Sequence, residues 1–216
     1  MKELATIAIF GAGGLGKETL VLINQINTRQ KHWNIIGFFD DGVQKGTTVA
    51  GLPLLGGIDE LNSYERELSV VIAVGDPRVK RLIVDRIKNP NVKYPSLIHP
   101  TATIGEGIKV GEGCIITAGC RLTIHITLND FVLLNLNTTI GHDVSIGSYS
   151  SVMPGVHLSG YVQLGKEVLI GTGASVLQHA SIADRAVVGA GAVVNRSVEE
   201  GRTVAGVPAR PIKKND

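Results

Sequence analysis

The sequence predicts an α/β N-terminal half-Rossmann domain followed by a parallel β-helix, on three observations. A G-x-G-x-x-G segment, Gly11 to Gly16, follows an apolar strand and opens a helix. From Ile98 to Val194 every sixth residue is aliphatic, with no insertion in the register. The chain of 216 residues holds 27 glycines but only one Trp, four Tyr and four Phe, so its core is built from Val, Ile, Leu and Ala. Such a core suits narrow, repeated internal layers.

Residues 1–96 alternate between β and α patterns. A strand at about 4–10 runs into Gly11-Ala12-Gly13-Gly14-Leu15-Gly16, and the helix after it carries Leu20, Ile23 and Ile26 on one side. A second strand, Ile35 to Phe39, ends in Asp40-Asp41. A third, Val70 to Val74, ends in Gly75-Asp76-Pro77. The helix expected from about 77 to 87 has Val79, Leu82, Ile83 and Ile87 as its apolar side. Glycines between a strand and a helix let backbone N–H groups approach a phosphate, with the helix dipole assisting. Asp40, 24 residues after Gly16, closes the next strand, where a carboxylate can accept bonds from a ribose or sugar. A tight turn with no ligand would show the same glycines, and the motif alone leaves both readings open. A dinucleotide fold needs two mononucleotide-binding halves. Three strands leave room for one, so a nucleotide diphosphate carrying a sugar fits better than NAD.

Residues 97–216 follow a different rule. The aliphatic positions number 17, among them Ile104, Val110, Ile116, Leu122, Leu128, Leu134, Ile140, Ile146 and Val152. A period of six does not match a helix of 3.6 residues per turn. It matches short strands joined by tight corners, three hexads closing one coil of a prism. Aliphatic residues then stack inside, at about 1.5–3 kcal/mol per buried side chain. The fifth hexad position is small or β-branched, as at Ala102, Val144, Ser150, Ala174 and Ala186. Cys114 and Cys120 occupy that position too; they lack metal-ligand spacing and read as small hydrophobes.

Histidines supply the candidate chemistry of the coils. His99, before Pro100 at the domain junction, reads as structural, and His157 closes a hexad at an expected exposed corner. His125 and His179 lie 54 residues, or three coils, apart and share a column with Asp143. His142 shares its own column with Gly160 one coil later. An imidazole beside an exposed glycine amide suits acyl transfer from a thioester: the base takes the proton of an attacking amine or hydroxyl, and the N–H receives the developing oxyanion. A solvent-facing polar residue would occupy the same position, and the repeat does not separate the two. A β-helix carbonic anhydrase would want a second His five residues after a ligand. Position 147 is Gly, so no metal site is expected.

A net charge of +2 gives no reason to expect nucleic acid or a membrane surface as partner, and no apolar stretch reaches the length of a membrane span. A soluble, cytoplasmic protein is expected.

The chain resembles the bacterial nucleotide-sugar acetyltransferases of the left-handed β-helix superfamily. The group includes UDP-4-amino-sugar, perosamine and viosamine N-acetyltransferases and proteins labelled sialic acid O-acetyltransferases. The resemblance covers essentially the whole chain. It rests on Ile9 to Gly14, Phe38-Phe39-Asp40-Asp41, Ile72-Ala73-Val74-Gly75, Leu97-Ile98-His99-Pro100, Asn135 to Asp143, and Ala205 to Arg210. It implies the left hand of the coil and a homotrimer, with acetyl-CoA as co-substrate in the groove between neighbouring β-helices and no permanently bound cofactor. A small nucleotide-sugar-binding domain (1–96) and an acetyltransferase domain with a C-terminal tail (97–216) follow from it.

By the same resemblance His142 is the general base, Asp143 raises its basicity, and the acetyl carbonyl bonds the amide of Gly160. Gly13, Gly14, Leu15, Asp40, Asp41 and Gly75 match nucleotide-sugar contacts, and Ser151, Thr172 and Ala190 match CoA contacts. Three positions depart from the family pattern. Asp143 is a methylene shorter than the Glu often found there, Leu15 replaces a frequent His, and Ser151 replaces a CoA-contacting His. The implied reaction is direct transfer of acetyl to a sugar amine, at the 4-position, for surface glycan or glycoprotein synthesis, with no covalent intermediate. O-acetylation of a sugar hydroxyl, and a non-catalytic nucleotide-sugar-binding trimer, remain as alternatives.

Overall fold

A computed structural model describes residues 4–212. It divides into two compact units, the first ending at Pro100 and the second beginning at Thr101.

In the first unit the chain runs β1 (Ala5–Phe10), α1 (Gly14–Arg29), β2 (Trp33–Phe39), β3 (Thr48–Val49), β4 (Leu52–Gly56), α2 (Ile58–Asn62), β5 (Leu68–Ile72), α3 (Pro77–Arg86) and β6 (Val92–Lys93). The strands make one sheet in the order β3-β4-β2-β1-β5-β6. All pairs are parallel except the β3–β4 hairpin. The sequence pattern predicts three strands here. The extra parallel strand β4 carries Pro53, which donates no ladder hydrogen bond and interrupts the alternating pattern. The strand β6 has only two residues. The third expected strand begins and ends two residues earlier than read, at Leu68 and Ile72.

The central strand β1 is buried on both faces, Ile7 to Phe10 being 0–3% exposed, as a parallel strand covered on both sides must be. Leu20 and Ile23 of α1, Phe38 of β2 and Leu54 of β4 are buried as well. His99 is buried, and its Nε2 lies 2.7 Å from Oε1 of Gln25. Burial pushes the imidazole pKa down.

In the second unit, two-residue strands pair in parallel with the strand 18 residues on: Ile116 with Leu134, Leu134 with Val152, Ile140 with Leu158, Ile146 with Leu164. Three hexads therefore close each coil, as the period predicts. The aliphatic ladder and the small position two residues before it both point inward; Cys114, Cys120, Ala174 and Ala186 are fully buried. Burial also raises the Cys120 thiol pKa. Ile98 and Ile104, read as the first rungs, are 38% and 39% exposed. Ile98 belongs to the first unit, and Ile104 lies on the edge strand of its sheet.

Every corner turns the same way. Each sixth residue from Gly107 to Gly191 has a left-handed φ, and His125, Asp143, Tyr161 and His179 are among the non-glycine residues that adopt it. The glycines that follow the aliphatic residue serve another end: a Cβ on Gly141 would stand 2.7 Å from the Gly160 nitrogen, so they allow consecutive coils to touch. His157, read as a corner, lies in the strand His157–Leu158. Its position immediately before the aliphatic residue is the outward strand position, and it is exposed there, its Nδ1 2.7 Å from Oγ1 of Thr139.

Candidate active site

On one corner of the β-helix three predicted residues come together. The side chain of His142 is 46% exposed, and its Nδ1 donates to Oδ2 of Asp143 at 2.9 Å. That bond puts the proton on Nδ1 and leaves the lone pair on Nε2. The shorter acid thus spans the gap to its neighbour. It does so because Asp143 has a φ of 57°, a conformation that Asp tolerates better than most residues and that turns its carboxylate back over His142. The other carboxylate oxygen lies 3.6 Å from Nδ1 of His125.

Gly160 passes beneath the imidazole: a Cβ there would stand 2.5 Å from Cε1 and Nε2 of His142. Its carbonyl accepts from His179 N–H, while its own N–H donates to no group among the described residues. An imine nitrogen with a free lone pair and an uncommitted amide donor are thus placed side by side.

Tyr161 stands in the column of His125, Asp143 and His179, at the same 18-residue spacing. Its ring meets His142 edge-on, with centroids 4.9 Å apart, and stacks on His179 at 4.8 Å.

The predicted CoA contacts lie elsewhere on the same chain. Thr172 and Ala190 are exposed one coil apart on a different corner, and Ser151 is fully buried on the strand Ser151–Val152.

In the first unit, the glycine segment turns sharply between β1 and α1. Gly11 has a φ of 108°, and a Cβ on it would stand 2.7 Å from the Ala73 carbonyl oxygen. One on Gly16 would strike the Gly11 carbonyl oxygen. Gly13 and Gly14 face open space. Gly13 caps α1 without a side chain, so the first-turn N–H groups stay available to an anion. Leu15 is half-buried in that first turn. Asp40 is committed to the loop itself, its Oδ2 accepting from Ala12 N–H and its Oδ1 from Gly42 N–H, both at 2.8 Å. Asp41 accepts from Ile58 N–H and from Nη1 of Arg86, each at 2.8 Å.

Gly75 is half-buried just beyond β5, before Asp76, whose carboxylate caps α3 by accepting from Arg78 and Val79 N–H. Val79 and Leu82, read as the packing side of α3, are 45% and 61% exposed. With Ile83, Arg86, Val74, Gly11, Asp40 and Asp41 they line a cavity of about 350 Å³ at the carboxyl ends of the strands, where open α/β sheets bind ligands. Among the described residues no cluster of three or more His, Cys, Asp or Glu could hold a metal, and no helix is long and apolar enough to cross a membrane.

The family model of the PglD N-terminal domain matches residues 6–87, and that of the hexapeptide repeat of succinyl-transferase matches 101–123 and 161–196. The acetyltransferase domain of PglB from Neisseria gonorrhoeae FA1090 is 33% identical over 96% of this chain and 99% of its own, with a TM-score of 0.88. That domain has also been solved in complex with acetyl coenzyme A. WeeI from Acinetobacter baumannii AYE is 31% identical, covering 96% of this chain and 100% of its own (TM-score 0.87). PerB from Caulobacter crescentus, solved with CoA and GDP-perosamine, shares the fold at 24% identity over 98% of this chain and 99% of its own (TM-score 0.89). No curated protein sequence matches the chain. The chain belongs to the family of the PglB acetyltransferase domain, a left-handed β-helix of hexapeptide repeats behind a PglD-type N-terminal domain, and is an acetyltransferase.

Proposed function

We propose that this protein transfers acetyl from acetyl-CoA to the 4-amine of a nucleotide-linked sugar destined for a surface glycan or glycoprotein. The observation that carries the reading is the joint placement of the His142 imidazole, bonded through Nδ1 to Asp143, and the uncommitted amide of Gly160 beneath its ring. The acetyl coenzyme A complex of the 33%-identical gonococcal domain supports the choice of donor.

In this reading Nε2 of His142 takes a proton from the sugar amine as its nitrogen attacks the thioester carbonyl. The Gly160 N–H receives the oxyanion of the tetrahedral intermediate. The C–N bond forms in that attack; collapse breaks the C–S bond, and the departing sulfur takes the proton held on Nε2 of His142, which regenerates the base with no acyl-enzyme. Asp143 holds the imidazole in the basic tautomer and stabilises the imidazolium. Residues 1–96 hold the nucleotide sugar: Gly13, Gly14 and Leu15 offer backbone N–H groups to the diphosphate, the cavity bounded by Val79, Leu82 and Ile83 takes the base, and Asp40, Asp41 and Gly75 shape its rim. Residues 97–216 carry the chemistry. Thr172 and Ala190 lie on a different corner from His142, and a groove between neighbouring copies in a homotrimer would bring the two corners together on one CoA molecule.

The test is thiol release from acetyl-CoA across a panel of UDP-, dTDP- and GDP-linked 4-amino sugars and their hydroxy counterparts. His142→Ala is expected to lower turnover by roughly 10²–10⁴-fold, the range of a general base. Asp143→Asn is expected to cost a smaller factor, and both variants should keep the wild-type melting temperature. Near-normal turnover in His142→Ala would refute the mechanism.

A further inference from the structure

We infer that Tyr161 is a positioning residue for His142, acting through the edge of its ring, and that His179 holds Tyr161 in place; this rests on His142 being the base.

Neither backbone nor core explains a tyrosine at this position. Tyr161 has a φ of 60°, a conformation that bulky residues rarely adopt, and other corners put Gly155, Gly173 and Gly191 at the equivalent hexad position. The residue is 45% exposed, so it fills no interior space. Its hydroxyl makes no hydrogen bond among the described residues. What the side chain does touch is two imidazoles. It stacks on His179 with an interplanar angle of 9° and meets His142 at 88°. Offset-stacked and edge-on pairs are the favoured arrangements of such rings.

The corner leaves His142 much freedom, because nearly half of its side chain faces solvent. Asp143 restrains one ring nitrogen, and Gly160 provides a floor. Neither stops the ring from swinging sideways along the column. Tyr161 is the wall on that side, and stacking on His179 keeps the wall upright. A base held this way spends more of its time with Nε2 over the Gly160 amide, which raises kcat without changing how either substrate binds.

The test compares steady-state kinetics of the full-length protein and its variants. Tyr161→Ala is expected to lower kcat by roughly tenfold or more, with KM for acetyl-CoA and for the nucleotide sugar within about twofold of wild type. Tyr161→Phe, which keeps the ring and loses only the hydroxyl, is expected to retain most of kcat. His179→Ala is expected to give a smaller loss, and the double variant Tyr161→Ala/His179→Ala to be no slower than Tyr161→Ala alone, because His179 acts only through Tyr161. Tyr161→Gly, whose backbone suits the corner, is expected to lose kcat while its melting temperature holds or rises. A residue with only a structural role would lose both.

The inference is overturned if Tyr161→Ala keeps kcat within twofold, if its defect lies in KM, or if Tyr161→Phe is as slow as Tyr161→Ala. Loss of turnover in His142→Ala beside an unimpaired Tyr161→Ala would sink this inference alone. Retained turnover in His142→Ala would instead sink the assignment of the base on which it rests.

Discussion

The backbone of Gly160 lies directly beneath the imidazole of His142, so close that a single added methyl would fall 2.5 Å from Cε1 and Nε2 of the ring. The contact is to the far end of a half-exposed side chain, so the fold can absorb the methyl by letting the ring swing outward. Gly160→Ala is therefore expected to melt within about 2 °C of wild type, since surface changes seldom cost more than about 0.5 kcal/mol. Its kcat is expected to fall by roughly a hundredfold, because the base and the oxyanion donor no longer share one position. Melting curves and thiol-release rates on one preparation decide it. A normal kcat would mean that the two groups do not act together.

The glycines of the first unit separate into two kinds. Gly11→Ala would place a Cβ against the Ala73 carbonyl in a left-handed conformation, a strain of about 1–3 kcal/mol. Its melting temperature is expected to drop by roughly 5–10 °C. Gly13→Ala meets nothing within 4 Å, so its stability should change little. Its added methyl stands where a diphosphate would approach the helix, so KM for the nucleotide sugar should rise. Finding the two variants equally stable would remove the distinction.

His99 gives the fold a pH dependence. Its folded-state pKa is below the ordinary 6.5 because the ring is buried, so below that value the unfolded chain binds a proton that the folded chain resists. Stability is therefore lost as pH falls through the ordinary histidine range and is restored above it. Melting temperatures measured from pH 7.5 to 5.5 should decline more steeply for the wild type than for His99→Gln. Parallel declines would show that His99 does not contribute.

The repeats were legible in the sequence because their period is set by the inside of the prism. Ile116, Leu134 and Val152 must all face inward, and each reports the register of its coil. The outward positions carry no such periodic constraint. His125, Asp143 and His179 share one column by count, but Tyr161 between them carries no signal in the sequence, because the corner position takes residues as different as Gly155, Asn137, Tyr149 and Glu167. The contact between Asp143 and His142 depended on a left-handed backbone that spacing alone does not reveal. In the first unit α3 differs from its sequence pattern for a related reason: Val79 and Leu82 are apolar without being buried, since they line a cavity rather than the core. The short strand β4 was hidden by Pro53.

The uniform left-handed corners have a consequence for how such a protein diversifies. Along the column of the candidate base's neighbours the corner residues are exposed or half-buried, and each has its counterparts above and below it at about the 4.8 Å spacing of paired strands. The column His125, Asp143, Tyr161, His179 is thus a row of addresses that can be rewritten one at a time while the ladder behind it stays the same. Chemistry and folding are encoded on separate letters of the same six-letter word, so a new acceptor or a retuned base requires no new architecture.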